Sequence, residues 1–388
     1  MINIISKKDC CGCSSCANIC PKKCINMVSD SEGFLYPEVD KTKCVGCNLC
    51  VNSCPLVNKK SLKRTPVSYG GWNKDEEVRK RSSSGGVFHL LCKFVINKKG
   101  VVFGAAFDEK FDVYHTYADN INDCEKFKGS KYVQSVLGNS YSKAKEFLDE
   151  GRTVLFTGTP CQIAGLYSFL KKNYKNLITQ DIVCHSVPSP KVWTAYKELI
   201  GERKQITDIQ FRNKEKGWKN GTFEVLLDND TIFSKPYSDT IYMKGFLNGL
   251  YSRPSCYDCK FANLNRMSDI TLGDFWGVDT FYPELFDNKG TSIVLVNSKK
   301  GNKIFRIIKK GMKTKKVLLK KAIWYNPAVN GSLNMNPNRK LFFKDNSELN
   351  KKYLLYYKNE VNIIPGYKFS FFDKIKFKIY NILKCINK

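Results

Sequence analysis

Cys10-Cys11-Gly12-Cys13-Ser14-Ser15-Cys16-Ala17-Asn18-Ile19-Cys20-Pro21 and Cys44-Val45-Gly46-Cys47-Asn48-Leu49-Cys50-Val51-Asn52-Ser53-Cys54-Pro55 decide how the first part of the chain reads. Each run spells C-x2-C-x2-C-x3-C-P. In such a run three thiolates on a tight loop reach three corners of a cubane, and the fourth, on the helical turn that follows, points to a second cubane. That crossing assigns Cys10, Cys13, Cys16 and Cys54 to one [4Fe–4S] cluster and Cys44, Cys47, Cys50 and Cys20 to another. Gly12 and Gly46 let the backbone bend close to inorganic sulfide. Structural zinc competes as a reading, but it joins two separated C-x2-C pairs and needs neither the third evenly spaced cysteine nor the trailing Cys-Pro. Cys11 breaks the spacing and Cys24 lies beyond the proline, so both read as packing or spare thiols.

Composition agrees with a redox protein. A chain of 388 residues suggests two or three domains at roughly 150 residues each. With 42% hydrophobic and 26% charged residues it has enough apolar material for a core, which excludes disorder for the bulk. No apolar run approaches the ~18 residues of a membrane span, and residues 1–9 lack the apolar segment of a signal peptide, so a cytoplasmic location is expected. Seventeen cysteines in a reducing compartment point to metal or redox chemistry rather than disulfides. Lys plus Arg is 64 against 36 Asp plus Glu, a net charge of +28 that would attract an acidic redox partner such as a ferredoxin, or anionic lipid. No basic recognition helix or aromatic single-strand platform is visible, so no nucleic acid partner is expected. Only His89, His115 and His185 are present, against histidine-based catalysis, and neither a G-x-G-x-x-G fingerprint nor a Walker A run occurs.

The organisation follows. Residues 1–57 form a small dicluster ferredoxin-like domain in which Gly33-Phe34-Leu35-Tyr36-Pro37 belongs to a hairpin, and the polar stretch 58–66 is a linker. Residues 67–345 form a larger mixed α/β core, giving an α+β / α/β chain, and 346–388 a basic tail. In the core, Arg81-Ser82-Ser83-Ser84-Gly85-Gly86 leads into a helical pattern from Val87, leaving bare amides for a phosphate or merely capping the helix. Thr153-Val154-Leu155-Phe156 is a strand, Thr157-Gly158-Thr159-Pro160-Cys161 a loop, Gln162 onward a helix, and residues 177–183 a second, parallel strand ending at Cys184. Both loops then lie at the carboxyl edge, where Cys161 at a helix N-terminus is expected to favour thiolate. With the C-x2-C pair Cys256 and Cys259 they make four soft ligands, suited to a third [4Fe–4S] cluster or to zinc. Residues 269–277 read as a strand ending in an aromatic turn, and Cys92, Cys124 and Cys385 as structural thiols. In the tail, Phe372, Ile375, Ile379, Ile382 and Leu383 share one helical face; a peripheral membrane contact and a helix packed on its own domain both suit that pattern.

Taken in order, the two cysteine runs, residues 82–86, Gly129-Ser130-Lys131-Tyr132-Val133-Gln134, 158–166, Cys184-His185, 253–259, 269–277 and Pro337-Asn338-Arg339 resemble the coenzyme F420 hydrogenase/dehydrogenase beta-subunit family, over roughly residues 9–343. The resemblance implies an iron–sulfur flavoprotein that binds FAD in its core. It implies FAD contacts at Ser83, Ser84, Gly85, Gly86, Lys131, Thr157, Gly158, Thr159 and Gln162, and a further cluster at Cys161, Cys184, Cys256 and Cys259. Lys131 takes the catalytic role, because a lysine at the flavin's pyrimidine edge stabilises the reduced ring. The chain departs from the family at Ser186, where relatives carry glycine. Similar stand-alone members accompany cell-surface polysaccharide gene sets. The implied function is an oxidoreductase that reduces a small-molecule substrate; the alternative is a non-catalytic subunit relaying electrons to a partner enzyme. A homo-oligomer is left open, and the deazaflavin coenzyme itself is not expected.

Overall fold

The structure is a computed structural model that describes residues 1–4, 6–58, 64–201, 204–228 and 230–344. The centre of the linker and the whole of the tail, with Cys385, therefore lie outside the described residues. In the amino-terminal unit the two cysteine runs fold alike. Gly12 and Gly46 adopt φ of 69° and 68°, Ser14 and Asn48 follow in the same left-handed region, and the short helices Ser15–Ile19 and Leu49–Asn52 come next. Between the runs, β1 (Ile25–Ser29) and β2 (Leu35–Val39) pair antiparallel. Phe34 is fully buried in the turn joining them.

The core strands are β3 (Val67–Asn73), β4 (Val101–Phe107), β5 (Val113–Ala118), β6 (Val154–Gly158), β7 (Leu177–Ile182), β8 (Ile206–Asn213), β9 (Thr222–Leu227), β10 (Ile232–Pro236), β11 (Ile270–Asp274), β12 (Ser292–Val296) and β13 (Met312–Lys316). Eight form one mixed sheet in the order β13-β3-β12-β11-β7-β6-β4-β5; β8, β9 and β10 form a separate antiparallel sheet. The run β4, β6, β7 and β11 is parallel, and the remaining pairs are antiparallel.

Alternation along the parallel strands builds two layers. Val102, Leu155 and Ile178 pack under the helices Val87–Ile96 and Lys299–Ile308, while Val101, Val154 and Leu177 meet Ser140–Asp149 and Pro160–Leu170 on the opposite face. Strands covered on both sides need continuous apolar runs, which Val154-Leu155-Phe156 supplies. One boundary differs from the sequence reading: Thr157 and Gly158 belong to β6 rather than the loop, because they pair with Gln180 and Asp181. The following helix starts at Pro160, as its place at the first helical position implies, where its missing N–H costs nothing. Among the described residues no helix is long and apolar enough to cross a membrane.

Candidate functional site

The cysteines of the small unit line two cavities. Cys10, Cys13, Cys16 and Cys54 surround one, closed by Ile2, Ile4 and Met27. Cys20, Cys44, Cys47 and Cys50 surround the other, the same two groups that the crossing of the runs assigns. Cys24 also faces the second cavity, with its sulfur 3.4 Å from that of Cys20. Burial, with the neighbouring Cys10 and Cys54, pushes the Cys16 thiol up to about 12. Such crowded sulfurs become thiolates together only when a cationic centre sits among them. Among the described residues no three His, Cys, Asp or Glu side chains converge as a single metal ion requires. The preference for a cubane over zinc rests on the third evenly spaced cysteine and the trailing Cys-Pro of each run.

A third thiol-lined cavity, of about 350 Å³, lies where the small unit meets the core. The core contributes Cys161, Cys184, Cys256 and Cys259; the small unit contributes Cys11, with Leu56 and Val57. Cys161 is the second residue of its helix and Cys184 follows β7, so both stand at the carboxyl edge, and Cys256 and Cys259 come from the turn Pro254–Asp258 and its end. The expectation that the helix N-terminus favours a Cys161 thiolate is corrected here. Its thiol is held well above the ordinary range, first by sharing a proton with Cys11 and then by burial, and both outweigh the dipole. Burial pushes Cys256 up to about 12 as well. Arg266, only 2% exposed, lines the same cavity; its Nη1 lies 3.6 Å from the buried Asp181 carboxylate and its Nη2 donates to Val329 O at 3.2 Å. Asp181 thus answers the charge of this buried guanidinium at the cavity wall. Cys11 is thus not simply a packing thiol, since it faces this cavity.

The flavin candidates divide into two groups. Ser83 Oγ accepts from the Ser130 N–H at 2.7 Å and from its hydroxyl at 2.9 Å, which joins the 83–86 loop to the segment carrying Lys131. Ser84 donates to Thr291 O at 3.1 Å. A Cβ at Gly85 would meet Gly71 O at 2.7 Å, and Gly86, with φ of 74°, caps the helix Val87–Ile96. Lys131 Nζ donates to Lys128 O at 3.0 Å and lies 5.4 Å from the Phe107 ring, and burial lowers its pKa to about 7. The other group is occupied internally. Thr157 Oγ1 donates to Phe103 O at 2.8 Å. Gln162 accepts from Thr159 N–H at 2.8 Å, packs over Gly158, and donates to Ser135 at 2.9 Å, while Thr159 Oγ1 lies 3.1 Å from Cys161 sulfur.

Sequence reasoning missed the cationic, aromatic neighbours of this edge. Lys214 Nζ donates to the carbonyls of Arg79, Ser84 and Lys289 at 2.7, 2.8 and 2.8 Å, and burial and then Arg79 bring its pKa to about 7. Arg212 pairs with Asp274 at 2.6 Å and lies over the rings of Trp276 and Tyr237, at 5.0 and 4.9 Å. Trp218 and Trp276 stack at 4.9 Å with 3° between their planes. Arg212 and Lys214 come from β8 and the turn after it, where no spacing signals a site.

Residues 9–57 match a family described as a 4Fe-4S dicluster domain, and residues 151–320 match the C-terminal region of the coenzyme F420 hydrogenase/dehydrogenase beta subunit. A chain of the F420-reducing [NiFe] hydrogenase complex from Methanosarcina barkeri is 18% identical, with 78% of this chain and 92% of that chain covered and a TM-score of 0.47. No curated protein matches the sequence. The chain thus carries a 4Fe-4S dicluster domain ahead of a C-terminal region of the coenzyme F420 hydrogenase/dehydrogenase beta-subunit type.

Proposed function

We propose that the chain is an iron–sulfur flavoprotein oxidoreductase that takes single electrons at its dicluster unit and delivers them to FAD in the core for reduction of a small organic substrate. The observation that carries this reading is the cavity of about 350 Å³ to which both units contribute thiols, directly beside the Cys10/Cys13/Cys16/Cys54 cavity that Cys11 also lines. Cys161, Cys184, Cys256 and Cys259 would hold a third [4Fe–4S] cluster there. FAD, when bound, exchanges paired electrons with an organic molecule and single electrons with iron–sulfur centres. Ser83, Ser84, Gly85 and Gly86 would hold it, with Lys214 and Lys131 supplying positive charge. Lys131, poised near pH 7, is the candidate to hold or release a proton at Nζ beside the reduced ring. An acidic ferredoxin is the donor that a +28 chain would attract.

The test is anaerobic reduction of the FAD-loaded chain by reduced ferredoxin, followed as loss of flavin absorbance. Replacing Cys44 and Cys47 with alanine should leave flavin bound and abolish its reduction; undiminished reduction overturns the chain of carriers. The matched family is defined on a beta subunit, which favours a second reading, relay of electrons to a partner enzyme. Co-purification with a catalytic subunit, and no turnover by this chain alone, would select it.

A further inference from the structure

Arg253 belongs to the core, three residues ahead of Cys256, yet most of its bonds reach into the small unit. Nε donates to Cys10 O at 2.8 Å, Nη2 to Leu35 O at 2.9 Å and to Cys10 sulfur at 3.5 Å, while Nη1 donates to Gln134 Oε1 at 3.0 Å. The guanidinium is fully buried and lies 4.3 Å from the Tyr36 ring. Among the described residues no carboxylate pairs with it. The approach is built into the backbone: a Cβ at Gly12 would sit 2.8 Å from Nη1, and Gly12 holds φ of 69°. An unpaired buried cation is costly unless an anion faces it, and the anion within reach is the thiolate side of the Cys10/Cys13/Cys16/Cys54 site.

We infer that Arg253 raises the reduction potential of that site above the potential of the Cys20/Cys44/Cys47/Cys50 site, so that electrons run inward, from the outer cubane toward the core. The inference rests on the proposed function for the presence of the clusters and adds the direction of flow. Charge and hydrogen bonds at ligand sulfur set such potentials, because they stabilise the more negative reduced state. Peptide N–H groups face ligand sulfurs at both sites, those of Gly12 and Ala17 on Cys10 and Cys16 inside and those of Ile2, Lys22, Lys23 and Cys24 on Cys50 and Cys20 outside, so they favour the outer site and the buried guanidinium has to outweigh them. The cations lining the outer cavity among the described residues, Lys22 and the Met1 ammonium, are both exposed and screened by water. Exposure of Cys47 works the other way, but water at one ligand is weaker than a desolvated guanidinium on another. Per step one electron leaves the outer site, which passes from the 1+ to the 2+ core state, and enters the inner, which passes from 2+ to 1+. No proton moves and no bond breaks.

The test is an EPR-monitored redox titration of the anaerobically purified full chain, with Cys47→Ser marking the outer signal. In the wild type the inner site should reduce at the higher potential. Arg253→Gln should lower the inner potential and leave the outer unmoved at full iron content, and Arg253→Lys should restore most of the loss. A wild type with the outer site higher, or Arg253→Gln with full iron and no shift, overturns the inference. If Arg253→Gln fails to assemble, the wild-type order and Arg253→Lys decide it. Absence of flavin with the predicted order would sink the flavoprotein reading alone, whereas the reverse order with flavin bound would sink only the inference.

Discussion

Gly165 sits in the helix Pro160–Leu170 with its α-carbon turned to the cysteine loop of the small unit. A Cβ there would meet Cys13 Cβ at 2.8 Å, Cys13 sulfur at 2.9 Å and the Tyr141 hydroxyl at 2.9 Å. In an exposed helix Gly→Ala stabilises by about 1 kcal/mol. Here the neighbours decide the sign. Cys13 lies between two left-handed residues, Gly12 and Ser14, and Tyr141 is fully buried with its hydroxyl donating to Gln162 O at 2.7 Å. Neither is the free end of a flexible side chain, so overpacking of about 1–3 kcal/mol outweighs the helical gain. Gly165→Ala should therefore be net destabilising by up to about 2 kcal/mol, at about 2–4 °C per kcal/mol in domains of 150–250 residues, and should loosen the cluster that Cys13 holds. Anaerobic melting followed at the iron–sulfur absorbance, with iron per chain measured before and after brief air exposure, reads both effects. A variant that melts higher than wild type and keeps its iron in air would refute the docking of the Cys13 loop on this helix.

Glu32 and Arg339 form a bidentate pair at 3.0 and 2.5 Å between the small unit and the last described helix, both largely buried. Glu32→Gln keeps one acceptor oxygen but removes the charge and the second acceptor facing the guanidinium, and should cost about 2–4 kcal/mol in urea unfolding; a change below about 0.5 would contradict it. Burial holds Lys131 and Lys214 at pKa values of about 7, against 10.5 unfolded. The unfolded chain thus binds protons that the folded chain does not, so the cost of burying these two ammonium groups is full below pH 7 and is relieved as pH rises from 7 towards 10.5. Lys131→Met should flatten the rise in urea midpoint between pH 7 and 9, and an unchanged slope would contradict the shift. Cys11→Ser should keep the wild-type iron content, whereas Cys256→Ala with Cys259→Ala should lose about a third of it, on about four irons per cubane; iron loss in the Cys11 variant would make that thiol a ligand.

What could be read in the sequence was local or periodic. The cysteine runs carry their own spacing, the parallel strands show in Val154-Leu155-Phe156 and residues 177–182, and Pro160 marks a helix start. What could not be read depends on distance. Arg253 meets Cys10 across 243 positions, and nothing beside it hints at a partner in the other unit. Arg212 and Lys214 become neighbours of Ser84 and Asp274 only because the three-stranded sheet folds over the carboxyl edge. The helix-dipole argument at Cys161 failed for a related reason, since the thiol that overrides it, Cys11, arrives from 150 residues away.

The central claim is a line of three cubane sites leading into the core, and iron and acid-labile sulfide counted per chain after anaerobic purification test it most directly. The account predicts about twelve of each, at about four per cubane, with zinc absent. About eight irons, with Cys161, Cys184, Cys256 and Cys259 all free to alkylate, would contradict it.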